Sequence, residues 1–209
     1  MKRHKLTQEI LMSAIDWCYY NAVKGIPGIL SAVELGESFK KRKGSDRDKV
    51  NSLIRWQNIK AGTTGFVTGL GGIITMPVTI PVNLASILFI QIRMIAAIAY
   101  IGGNDLNDDD RVKTLVYICL AGNSGKEILK DTGIALGNKI TRNAIKSISG
   151  ETIKRINQKV GFKLFTKFGE KGIINLGKAI PLVGGIVSGS FDSFSTNLIG
   201  NIARNTFIE

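Results

Sequence analysis

The stretch "MPVTIPVNLASILFIQIRM", Met76 to Met94, carries one charge, Arg93, in nineteen residues. Whether it crosses a membrane or fills the centre of a packed protein decides the fold. Pro81 suits the start of a helix, where its missing N–H leaves no bond unmade. The spacing predicts a helix from Val82 to about Tyr100, ended by Gly102 and Gly103. Such a helix is apolar on most faces and must be buried in something. Its length is at the threshold for spanning a bilayer. A central arginine costs roughly 2.5 kcal/mol or more on insertion, and ten large apolar residues return only about 0.3–0.6 kcal/mol each. Asn83 and Gln91 oppose insertion further. The sum is near zero, so the expectation is a core helix and not a simple anchor.

Working outward, Ala61 to Ile92 holds no charge, and it opens on "AGTTGFVTGLGG", where Gly65 and Gly69 form a small-xxx-small pair. The distal segment "KAIPLVGGIVSGSFDSFSTNLIGNIA" repeats that grammar with Pro181 and the pair Gly185/Gly189. Bare glycines four apart let a second helix approach closely. At about 100° per residue, Asn83, Ser86, Arg93 and Ala97 share one sector, and Ser188, Asp192, Ser195 and Thr196 form a second polar stripe. The expectation is that the stripes face each other, with Arg93 and Asp192 as a buried ion pair and Asn83 and Gln91 completing a polar pocket. A buried charge without a partner would be costly.

Around these apolar blocks lies a strongly basic chain of net charge +12. Residues 1–60 hold 12 Lys/Arg against 6 Asp/Glu, and residues 126–172 hold 11 against 4. Between them, residues 61–125 hold 3 against 4. Such a distribution favours phosphate-bearing partners, anionic lipid or nucleic acid. Within 126–172 the periodicity predicts two or three amphipathic helices broken near Gly133, Gly137 and Gly150. Arg155, Lys159, Lys163, Lys167 and Lys171 recur every four residues beside Ile156, Val160, Leu164 and Phe168. This gives a cationic stripe about 100° from an apolar one. It reads as a core-packed helix with a solvated lysine edge, or as a helix lying on an anionic membrane. The run Lys40–Lys43 reads as a solvated loop.

Chemistry-bearing motifs are scarce. His4 is the only histidine, which excludes histidine triads and His-rich metal sites. Cys18 and Cys119 sit among apolar residues without CxxC spacing and read as buried, reduced thiols of a cytosolic protein. "NDLNDDDR" begins like a calcium loop, but Asp110 stands where glycine is required and Val116 where glutamate is. Its aspartates instead cap a helix over Arg111–Leu120. "GNSGKE" lacks the spacing of a phosphate loop and has Glu127 in place of Ser or Thr. In the first sixty residues, Leu6, Ile10, Ala14, Trp17 and Asn21 recur near helical spacing with Thr7 as the cap, "GIPG" ends that helix, and a short amphipathic piece follows. Ser45 or Asp46 then caps a helix burying Val50, Leu53 and Ile54. Asp16 interrupts the apolar run that a secretory leader would need.

"TTGFVTGLGGIITMPVTIPVNLASILFIQIRMIAAIAYIGGNDLNDDDRVKTLVYICLAG" and "GKAIPLVGGIVSGSFDSFSTNLIGNIARNTF" together resemble the EcsC family. The resembling elements are Gly65 to Gly72, Pro77 and Pro81, Gln91 and Arg93, Gly103-Asn104-Asp105, and Pro181 to Gly185 with Asp192. Asn83 departs from the family, which often has Asp there. The resemblance implies an intracellular, mostly helical protein, of a family named from its occurrence beside an ABC transporter linked to secretion and processing, and no established reaction.

The expected fold is all-α, a single compact helical domain built round two Gly/Pro-entered apolar helices with flanking amphipathic basic helices. Residues 1–60 form an N-terminal basic helical segment and 61–209 the EcsC-like domain. The expected function is non-enzymatic binding, at the cytoplasmic face of a membrane, to an anionic lipid surface or a membrane protein complex. No cofactor or metal is expected. The alternatives are a soluble nucleic-acid-binding or adaptor protein, for which no motif speaks, and an enzyme or membrane-remodelling protein with a site near Arg93 and Asp192.

Overall fold

The computed structural model describes residues 6–61, 80–107, 110–132, 147–168 and 186–208, with side chains described outside 60–61, 82–83 and 186–194. The described residues form an all-α fold without a strand. Its helices are α1 (Gln8–Lys24), α2 (Ala32–Lys40), α3 (Asp46–Ala61), α4 (Val82–Ile101), α5 (Asp110–Leu120), α6 (Asn123–Asp131), α7 (Gly150–Phe168) and α8 (Ile186–Phe207).

The nearly uncharged sequence of α4 leads directly to its position. It touches α1, α2, α3, α5 and α8, and 89% of Leu84–Ile101 is buried inside the protein. Leu88, Ile92, Ile95 and Ile98 have no exposed surface. Each such side chain contributes about 1.5–3 kcal/mol by leaving water. Among the described residues α4 is the one helix long and apolar enough to cross a membrane, and it is occupied as a core helix. The helix starts after Pro81 and stops at Gly102, whose N–H returns to the carbonyl of Ile98.

The outer helices start where short polar side chains can take the first orphan N–H groups. Thr7 Oγ1 accepts from Ile10 N at 3.2 Å at the head of α1. Ser31 and Glu34 form a reciprocal capping box on α2. Ser45 caps α3 through the N–H of Asp48, and Ser149 caps α7 through that of Thr152. The buried seam of α1 is Leu11, Ala14, Ile15, Cys18 and Ala22. Ile10 and Trp17, expected on that seam, are half-buried at its sides. Val50, Leu53 and Ile54 are buried in α3 as expected. "GNSGKE" is the first turns of α6. Gly133 and Gly137 lie outside the described residues.

Close backbone approach occurs at glycines other than those the sequence singled out. A Cβ on Gly36 of α2 would stand 2.7 Å from Tyr100 Cδ1 and 3.2 Å from the Ala97 carbonyl oxygen of α4. One on Gly200 of α8 would meet Ile54 Cγ1 of α3 at 2.8 Å. Gly65, Gly69 and Gly185 lie outside the described residues, and of Gly189 only the helical backbone is described.

Candidate functional site

Two polar features stand out against this apolar frame: a buried cation on α4, and a charged seam on the outside of α7. Arg93 is 3% exposed at the middle of α4. Its Nη1 donates to the Leu30 carbonyl oxygen at 3.2 Å, in the connection between α1 and α2. Its Nε has no partner among the described residues. Burial pulls the guanidinium down to about 10. The guanidinium carbon also lies 5.8 Å from the centre of the Phe89 ring.

Gln91 points elsewhere. Its Nε2 donates to Ser195 Oγ on α8 at 3.4 Å. Two residues along a helix is about 200° of rotation, so Gln91 faces α8 while Arg93 faces the α1–α2 connection. Ser86, on the Arg93 side, is buried with its hydroxyl unpartnered among the described residues, and Thr196 is buried on α8. The side chains of Asn83 and Asp192 lie outside the described residues, and with them the expected pairing of Arg93 and Asp192.

On α7 the apolar stripe packs inward as the periodicity predicts: Ile156, Val160, Leu164 and Phe168 are buried. The cationic stripe is at the surface but is not wholly free. Lys159 Nζ lies 2.9 Å from Asp131 Oδ2, and Lys163 Nζ lies 3.6 Å from Glu127 Oε2, both carboxylates on α6. Arg155 pairs within α7 to Glu151 at 3.4 Å, and Lys167 Nζ lies 4.9 Å from the centre of the Phe168 ring. Lys171 lies outside the described residues. Phe162, 59% exposed, stands on the same outer face. It helps line an open groove of about 340 Å³ between α6 and α7, whose rims are the two lysine–carboxylate pairs.

A third cluster was not singled out by the sequence. Asp16 Oδ1 on α1 accepts the Tyr117 hydroxyl of α5 at 2.6 Å and pairs with Lys113 Nζ at 2.7 Å. Burial, then the Asp16 charge, raises the Tyr117 phenol well above its ordinary range. The signal was Asp16 itself, a lone carboxylate inside "ILMSAIDWCYY", paired across α1 and α5 by residues far away in sequence.

Neither cysteine is activated as a thiolate. Burial raises Cys18, whose Sγ lies 3.9 Å from the Ala85 carbonyl oxygen, and pushes Cys119 up to about 12. Among the described residues no cluster of three or more His, Cys, Asp or Glu could hold a metal ion. Asp105 Oδ1, first in the rejected calcium pattern, accepts the N–H of Asn107 at 3.0 Å in a local turn.

Comparison with known proteins yields no match among curated proteins and none among solved structures. A family model does match, over residues 44–208, from the turn before α3 to the end of α8. Most of the chain, including Gln91, Arg93, Asp192 and the α7 stripe, falls within that match, and the protein is a member of the EcsC protein family.

Proposed function

We propose that this protein binds an anionic membrane surface peripherally, at the cytoplasmic face, through the outer face of α7, and acts as a binding protein rather than as an enzyme. The observation that carries the reading is Phe162, a large aromatic side chain left mostly in water and bordered by Lys159 and Lys163. An exposed aromatic amid cations suits the lipid interface, with the ring below the headgroups and the ammonium groups among them. Each lysine near an anionic leaflet adds about 1 kcal/mol. Burial of α4 favours surface attachment over insertion, because the most apolar segment is already occupied by protein. The pKa directions at Cys18, Cys119 and Tyr117 all point away from reactivity.

The test is cosedimentation with vesicles of phosphatidylglycerol and phosphatidylcholine against phosphatidylcholine alone. Binding to the anionic vesicles alone, weakened by added salt, by Lys159/Lys163/Lys167→Glu and by Phe162→Ser, is the expected result. Equal behaviour toward both vesicles would remove the proposal. Capture of a membrane protein complex without lipid dependence would move the α7 face to a protein partner.

A further inference from the structure

We propose that the seam between α3 and α8 is a phosphate-binding site, in which Arg47, Arg204 and Asn51 hold the oxyanion of a phosphomonoester. The site is independent of the α7 face: the principal packing partners of α3 are α2, α4 and α8, whereas those of α7 are α1, α5 and α6.

Among the described residues, the seam has more donors than acceptors. Arg204, in the last turn of α8, reaches across to α3, where its Nη1 donates to Asn51 Oδ1. That bond engages the Asn51 amide oxygen and not its N–H₂. Arg204 Nε is buried without a partner among the described residues, and Nη2 makes only a 3.5 Å contact with the adjacent Asn205. Arg47 is one helical turn before Asn51 on the same face of α3, and exposed. Its charge reaches Arg204, which it holds further below the ordinary range after the larger effect of desolvation.

Among the described residues, the carboxylates near Arg47, those of Asp46 and Asp48, are engaged elsewhere. Asp46 pairs with Lys49 at 3.0 Å. Asp48 accepts both the N–H and the hydroxyl of Ser45, at 3.1 and 2.6 Å. The turn feeding α3 adds Lys41 and Lys43, exposed beside Gly44. Arg204 and Asn51 alone would be explained as a tie between two helices, with the cation complementing the C-terminal dipole of α8. That role needs no second arginine. Two guanidiniums in reach of each other repel, and a tetrahedral dianion between them converts the repulsion into forked, charge-assisted hydrogen bonds.

The test is isothermal titration of the full-length protein with inorganic phosphate in chloride buffer, against sulfate at matched ionic strength. Saturable phosphate binding is expected, weakened tenfold or more by Arg47→Gln and unchanged by Lys159→Glu. Arg47 is exposed, so its variant keeps the fold. Arg204→Gln is the second variant, read alongside its melting temperature. Phosphatidate and phosphatidylglycerol vesicles of equal charge then identify the source. A phosphatidate preference lost in Arg47→Gln assigns the site to a lipid headgroup. Phosphate binding without that preference assigns it to a soluble phosphomonoester. Absence of saturable phosphate binding, or full affinity in Arg47→Gln, overturns the proposal. Failure of the α7 variants to affect vesicles bears on the surface reading alone.

Discussion

Arg93 Nη1 and the carbonyl oxygen of Leu30 lie 3.2 Å apart, joining the middle of α4 to the connection between α1 and α2. A buried cation thus ends on a backbone dipole. The desolvation that lowers its pKa to about 10 acts against the charged form throughout the neutral range, and its cost is relieved only above about that pH. Arg93→Met is expected to cost about 1–3 kcal/mol in urea unfolding, the loss of a hydrogen bond that leaves an acceptor buried. A double-mutant cycle with Asp192→Asn tests the ion pair expected from the sequence: coupling below about 0.5 kcal/mol, the scale of independent sites, would remove it. A coupling of about 3 kcal/mol or more is the result expected of that ion pair.

The carboxylates of α6 compete for the lysines that the surface reading assigns to lipid. Asp131 and Glu127 hold Lys159 and Lys163 across an open groove. Both pairs are solvated, so each is worth at most about 1 kcal/mol to the fold. Asp131→Asn with Glu127→Gln should leave the melting temperature within a few degrees of the parent. Affinity for anionic vesicles should rise severalfold, since the lysines no longer leave carboxylate partners to reach phosphate. Unchanged affinity would show that this groove does not meet the bilayer.

Asp16 ties α1 to α5 through the Tyr117 hydroxyl at 2.6 Å. Tyr117→Phe is expected to cost about 1–2 kcal/mol, the range for a hydrogen bond to a charged group that is partly exposed. The phenol also gives stability an alkaline limb. Its folded-state pKa is raised from an ordinary value of 10, so its contribution is complete below that pH and falls as pH rises beyond it. Urea midpoints measured from neutral to alkaline pH should decline near pH 10, and less steeply in Tyr117→Phe.

Cys18 and Cys119 are completely buried with raised pKa values. Thiolate is the reactive species, so the native protein should resist iodoacetamide at neutral pH, and both thiols should label together on unfolding. Labelling of either one alone in native buffer would indicate local opening of the α1–α4 or α5–α8 contact.

Legibility varied with the kind of signal. The α4 helix was readable because Pro81, Gly102 and an uninterrupted apolar run specify its ends and its burial together, and the arginine decided between lipid and protein. The inner face of α7 was readable because its apolar residues repeat at helical spacing. The partners of its lysines were not, since Asp131 and Glu127 approach only through the packing of α6 on α7. The direction of Arg93 was equally hidden: the rotation between Gln91 and Arg93 is local, but which helix occupies each side is set by the whole chain. Gly36 and Gly200 escaped notice because each stands without a glycine four residues away. A close approach needs only one bare Cα when the opposing residue, Tyr100 or Ile54, supplies the bulk.

Enclosure of α4 by five neighbours carries a consequence. Freeing this helix requires separating it from α1, α2, α3, α5 and α8, so its release is coupled to loss of much of the native packing. A heated or damaged copy that releases this segment would expose a long apolar surface and aggregate.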